Sequence, residues 1–329
     1  ELGMASPSLM RIVIIALSGG ILGALLMLPL RKALIVKEHG VLPYPEGTAC
    51  AEVLIAGETG GSKAKTVFTG LGIGSLFKFI TDGIKLFPSE IEWAIPKYKG
   101  AAIGMDTLPA LLGVGFIVGP QISSYMLSGA VLGWLVIIPL ISYLGQYIPE
   151  IIYPASKTIA ELDYWGIWSN YIKYIGAGAV AFGGILSLIK SLPLIARTFK
   201  EAMGGLKSTS GVSSTLRTDE DMSIKTAFIG VIAIVIFIGV TSFIPVGIPG
   251  ALIIAIFGFF FATVSARLVG LVGSSNNPVS GMTIATLLIT SIIFKAIGFD
   301  GEEGMIGALS VGAVICIIAA MAGDMSQDL

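Results

Sequence analysis

The sequence predicts an all-α polytopic membrane protein, and three observations carry that prediction. Of the 329 residues, 54% are hydrophobic and only 12% are charged, about half the charged share of a soluble domain. Mean hydropathy is +0.91. The apolar residues also gather into runs that approach the ~20 residues a membrane-crossing helix needs. A net charge of −1 argues against a nucleic-acid partner. The lipid bilayer is the expected surrounding.

Ile12 to Leu30 is the first expected span, and Arg31, Lys32 and Lys37 follow it. Thr66 to Leu86 is the second. It contains Lys78 and Asp82, four apart and able to pair on one helix face. A polar connector from Pro88 to Gly100 leads into Ala101 to Val118, a segment interrupted by Asp106 and Pro109. Ile122 to Leu144 and Tyr171 to Leu192 are further spans, separated by an aromatic and acidic loop. We expect residues 1–192 to form one set of membrane segments, 193–225 a polar cytoplasmic linker, and 226–329 a second set. In that second set Thr226 to Phe243 and Pro249 to Val272 form a hairpin over Pro245 and Pro249. A short segment, Met282 to Ile297, and a last span, Met305 to Met321, complete about eight or nine transmembrane or re-entrant helices. Lysine and arginine concentrate in 31–65 and 193–225. The positive-inside rule therefore places both in the cytoplasm, and 87–100 and 145–170 outside.

Two interrupted stretches stand out. Val41 to Gly61 packs Pro43, Pro45 and Gly47 together with Glu46, Glu52 and Glu58. The prolines push their predecessors out of helical conformation. Thr48 or Glu46 is then placed to cap a short helix through Ala49, Val53 and Ile55. Carboxylates on a broken helix between spans are costly unless they line a cavity or bind something. The second stretch, Gly273 to Gly281 (GSSNNPVSG), leaves backbone groups free and precedes a short apolar segment. A half-helix there would place its positive end at Met282 to Thr286, suited to an anionic substrate group. Paired interrupted segments mark the binding region of many transporters.

The candidate substrate-binding or coupling residues are thus Tyr44, Glu46, Thr48, Glu52, Asn276, Asn277, Ser280 and Thr283. Tyr44 and Thr48 are assigned to substrate or a neighbouring helix, and Glu46 and Glu52 to a proton or a substrate amine. Asn276, Asn277, Ser280 and Thr283 supply hydrogen bonds and a helix end. Glu58, Lys78, Asp82 and Asp106 are assigned as structural or pathway charges, with Asp106 either pairing with Lys78 or lining the path. The Gly19/Gly23, Gly70/Gly74, Gly100/Gly104 and Gly129/Gly133 pairs read as close helix contacts.

Other chemistries find little support. The segment from Ala56 to Lys63 resembles a phosphate-binding loop, but Ser62 stands where glycine is required and Ala64 follows the lysine. Gly70-Leu71-Gly72-Ile73-Gly74 lacks a preceding strand and a correctly spaced third glycine. The single histidine, His39, has no partner for a nucleophilic triad and cannot alone build a metal site. Cys50 and Cys316 do not suggest a disulfide framework. No cofactor, metal site or enzymatic activity is expected.

The stretch Leu42 to Leu54 (LPYPEGTACAEVL) closely resembles a signature of the oligopeptide transporter (OPT) family, particularly of its bacterial members. Asn277 to Thr286 (NPVSGMTIAT) resembles a second signature, and Ala320 to Leu329 resembles the segment before the family's later spans. The resemblance implies part of a two-half secondary-transporter fold in the plasma (inner) membrane. It implies import of small peptides, peptide derivatives or metal-chelate complexes, coupled to protons. The resemblance also implies members about twice this length, so we expect an internal piece of a longer protein. A homo-oligomer is compatible with the sequence. The alternative is a non-transporting scaffold or assembly component of the same fold.

Overall fold

The computed structural model describes residues 7–38, 40–204 and 222–329. His39 and the middle of the expected 193–225 linker lie outside the described residues. Among the described residues, eleven α-helices and one β-hairpin follow in order: α1 (Leu9–Arg31), α2 (Pro45–Thr59), α3 (Gly61–Lys78), β1 (Glu90–Ala94), β2 (Ala102–Asp106), α4 (Pro109–Val131), α5 (Ile138–Gly145), α6 (Tyr164–Ile167), α7 (Lys173–Gly204), α8 (Ile224–Val240), α9 (Gly247–Val272), α10 (Val279–Ala296) and α11 (Gly301–Asp328). Five helical segments among them are long and apolar enough to cross a membrane: Leu9–Lys37, Pro109–Gly145, Gly247–Val272, Val279–Ala296 and Gly301–Asp328. Ile224–Val240 is a shorter apolar helix. The expected all-α polytopic class holds, with α3 and α7 helical where spans are expected.

The chain divides into two compact units, 1–43 with 177–270 and 276–329, and 44–176 with 271–275. In the first, the fully buried side chains include Leu22, Met27 and Leu30 of α1, Ile238 of α8, Ile254 and Phe261 of α9, Phe294 of α10 and Ile315 and Ile318 of α11. Small residues let these helices approach. A Cβ on Gly19 would lie 2.8 Å from the Ile317 side chain, and one on Gly23 would lie 2.8 Å from Met321. That glycine pair therefore makes the close helix contact its spacing predicts. Arg267 of α9 forms a 3.0 Å ion pair with Glu38 in the same unit.

The second unit contains the main departure from expectation. Ala101 to Val118 is not one membrane segment. Residues Ala102–Asp106 form β2, antiparallel to β1, and helix resumes only at Pro109. Alternation explains this: Ile91, Trp93, Ile103 and Met105 share one strand face, with the acidic residues on the other. Asp106 is consequently an exposed hairpin residue opposite Glu90 rather than a charge inside a span. The carboxylate partner of Lys78 is Asp82, at 2.5 Å, the i,i+4 pair the sequence predicts. Gly100 and Gly104 belong to this hairpin and not to a helix; Gly100, at its turn, lies against α5, where a Cβ would sit 2.9 Å from Ser142. Helix α4 is itself broken at Gly119, whose φ of 81° precedes Pro120. Helix α7 runs through Pro193 to Gly204, so the first part of the expected linker is helical.

Candidate functional site

The first interrupted stretch folds as expected in kind and differs in detail. Helix α2 begins at Pro45, so Tyr44 and neither Thr48 nor Glu46 stands at the capping position. Proline suits a first helical position because its missing N–H would have no intrahelical partner there. Tyr44 precedes it with a φ of 43° and is buried, and its carbonyl accepts from the Thr48 amide at 2.9 Å. This start puts Glu46 in the first turn, where a carboxylate complements the helix dipole. The helix ends at Thr59, and Gly60 alone separates it from α3, whose first residue is Gly61; both glycines are at positive φ.

Glu46 then meets the second interrupted stretch. Its Oε2 accepts from the Ser274 amide at 3.0 Å and from the Ser274 hydroxyl. Its Oε1 accepts from the Ser275 amide at 3.2 Å and the Ser275 hydroxyl at 2.6 Å. Both carboxylate oxygens are thus engaged by an amide and a hydroxyl each, the donor set of an ionised, acceptor-only carboxylate. Gly273 makes the approach feasible. Its φ is +84°, and a Cβ there would sit 2.7 Å from Glu46 Oε1. No residue but glycine satisfies both conditions.

Downstream, Asn277 donates from Nδ2 to Ser265 Oγ of α9 at 2.8 Å. Ser265 in turn donates to the Ala319 carbonyl of α11 at 2.5 Å. Gly323 leaves room for this junction, since a Cβ on it would lie 2.7 Å from Asn277 Nδ2 and 2.8 Å from Ser265 Oγ. Asn277 Oδ1 is buried without a hydrogen-bond partner among the described residues. Helix α10 begins at Val279, so its positive end lies at Val279 to Met282 rather than at Met282 to Thr286. It is also a full 18-residue helix, long enough to cross a membrane, where a short half-helix is expected. Thr283 donates its hydroxyl to the Val279 carbonyl at 2.8 Å, within its own helix, while Ser280 is exposed.

The structure therefore joins Glu46 to the second stretch, but through Ser274 and Ser275, which the sequence reading leaves out. Asn277 is held by Ser265, also unforeseen. Asn276 is half-buried in the short turn Ser274–Asn276. Glu52, Glu58 and Thr48 are carried on α2, and all three are exposed. The one signal for Ser274 and Ser275 is their place directly after a glycine and before Asn-Asn-Pro, since short hydroxyl residues in a turn present adjacent amides and hydroxyls.

These two broken stretches lie inside a family match that covers nearly the whole chain. The model of the OPT oligopeptide transporter protein family matches residues 2–329. The chain belongs to the OPT family. Among its relatives, a candidate oligopeptide transporter of Haemophilus influenzae is 30% identical over 346 residues, covering 96% of this chain and 52% of the relative. A probable metal-nicotianamine transporter of Arabidopsis thaliana is 24% identical, covering 93% of this chain and 48% of the relative. Another metal-nicotianamine transporter of that plant is 26% identical over 61% of this chain and 30% of its own length. The chain thus spans about half the length, or less, of these curated OPT relatives. No solved structure gives a significant match. OPT membership and the apolar helices make this a multi-pass membrane protein of a transporter family.

Proposed function

We propose that the chain is part of a proton-coupled secondary transporter that imports small peptides, peptide derivatives or metal-chelate complexes across the plasma (inner) membrane. The observation that carries this reading is the Glu46 carboxylate held by Ser274 and Ser275. Protonation converts one acceptor oxygen into a donor and turns it against an amide that can only donate. The carboxylate state thus ties α2 to the loop after α9, and the protonated state loosens that tie, which gives a proton a structural consequence. The exposed Glu52 is a second carboxylate for a proton or a substrate amine. Asn276, Ser280 and Thr283 lie around the start of α10. Asn277 Oδ1 offers a buried acceptor for a substrate N–H. The names of the OPT relatives support peptides and metal chelates as the substrate class.

The test is uptake by the full-length protein in sealed proteoliposomes with an imposed inward proton gradient, scored by mass spectrometry on a mixed peptide and metal-chelate pool. Gradient-dependent accumulation that collapses with a protonophore is expected. Absence of accumulation by folded protein in tight liposomes would favour the non-transporting scaffold.

A further inference from the structure

The β1–β2 hairpin carries a chemistry that the broken stretches do not use. Glu90 pairs in register with Asp106, and Glu92 with Gly104. Residues directly opposite in an antiparallel ladder share a face, as do residues two apart. Glu90, Glu92 and Asp106 therefore stand together on one face of the hairpin. That face forms one side of a cavity of about 490 Å³, and Trp134, Tyr164 and Trp165 form another. The volume suits a small organic ligand.

The aromatic side is built in advance. Trp134 meets Trp165 edge-on at 4.9 Å and Tyr164 at 6.0 Å between ring centroids. Trp134 and Tyr164 also pack on a buried cluster of Ile138, Ile159 and Ile167. Glu92 Oε2 accepts from Trp165 Nε1 at 3.1 Å and from the Tyr164 hydroxyl at 3.3 Å, which orients both rings. The hairpin is fastened as well: the Tyr98 hydroxyl donates to the Leu135 carbonyl at 2.8 Å, and Thr107 closes the open end through the Ser89 carbonyl.

The acidic side, by contrast, is uncompensated. Like charges directly opposite in a ladder destabilise it, and no lysine or arginine lines the cavity. A cation placed there relieves that repulsion. No group of three Asp, Glu, His or Cys side chains with metal-holding geometry occurs among the described residues, whereas aromatic faces attract organic cations. We propose that this cavity binds an organic ammonium group, with the charge set between Glu90 and Asp106 and the carbon body against Trp134 and Trp165. The proposal goes beyond the transport reading and requires no transport step.

The test is a fluorescence titration of the full-length protein in detergent, because two of the chain's four tryptophans line the cavity. The probe is trialanine with a free N-terminus; N-acetyl-trialanine and sodium chloride at matched ionic strength are the controls. A saturable change is expected with trialanine and with neither control. Glu90→Gln combined with Asp106→Asn should weaken binding by about tenfold or more without lowering the melting temperature, since it removes opposed like charges. Should the double variant fail to fold, Asp106→Asn alone must still weaken binding. Equal binding of the acetylated peptide, a change reproduced by salt, unaltered affinity in the variants, or no saturable change in the parent protein would each overturn the proposal. Because binding rather than uptake is read, this proposal and the transport proposal fail independently.

Discussion

Glycine is abundant in both compact units, yet it does different work in each. In the unit built on α1, α9, α10 and α11, glycines are contact surfaces. A Cβ on Gly312 would lie 2.6 Å from Leu287, and one on Gly307 would lie 2.5 Å from the Pro245 carbonyl oxygen. In the unit built on α2 to α6, a Cβ added to Gly70, Gly74, Gly129 or Gly133 would meet nothing within 4 Å. Helices α3 and α4 there bury no residue at all. Small-xxx-small spacing shows only that a backbone can be approached; contact requires a neighbouring helix that completes it. Of the four spaced pairs the sequence offers, Gly19/Gly23 has such a neighbour.

Some glycines of the α2 to α6 unit depart from this contrast, Gly145 against Ile159 and Gly273 against Glu46 among them, and Gly273 carries the largest expected effect. Gly273→Ala should destabilise by about 3 kcal/mol, because left-handed strain of roughly 1–2 kcal/mol adds to displacement of the Glu46 carboxylate from its donors. Gly298→Ala, just past the end of α10, is the control: φ is +75°, but nothing lies within 4 Å, so only the strain remains. Thermal unfolding in detergent compares the two. Equal losses would mean that the approach of Glu46 has no energetic weight.

The next effect sharpens the contrast itself. Gly307→Ala forces a methyl against a backbone oxygen that cannot rotate away, and overpacking of this kind costs about 1–3 kcal/mol. Gly74→Ala should lie within about 0.5 kcal/mol of the parent, or stabilise through the helix preference for alanine. Melting temperatures of the two variants decide the matter, and a comparable loss in both would remove the distinction between the units.

Glu46→Gln asks whether the tie to Ser274 and Ser275 matters for transport. The amide nitrogen must face groups that donate, so hydrogen bonds worth about 1.5–3 kcal/mol to a charged acceptor are partly lost. Uptake by the full-length protein is expected to fall at least about tenfold, while Glu52→Gln, exposed on α2, should fall less. The reverse order would transfer the coupling role to Glu52.

Much of this is legible in the residues alone. Long apolar runs disclose spans because a helix in lipid must satisfy its own backbone. Prolines beside glycine disclose both interrupted stretches. The hairpin is hidden because Ala101, Ala102, Ile103 and Met105 continue the apolar run of α4, which conceals a period of two. Ser274 and Ser275 carry no periodic signal, and their role depends on a contact with a residue 228 positions away. The sequence reading starts α10 three residues late because Ser280 and Gly281 look like a break, whereas the helix begins directly after Pro278.

The smallest expected effect concerns the hairpin cavity. The Tyr164 phenol is held above its ordinary value of 10.0, first by removal from water and then by the Glu92 carboxylate beside it. A raised folded-state value means that the phenol's contribution to stability is complete below pH 10 and is lost as the pH rises through the folded value. An absorbance titration of phenolate formation, with Tyr164→Phe subtracted, should place its midpoint above 10. Glu92→Gln removes the repulsion of a phenolate while keeping an acceptor oxygen for the hydroxyl, so the midpoint should fall towards 10. An unchanged midpoint would assign the whole elevation to removal from water, and Glu92 would then orient the ring without tuning it.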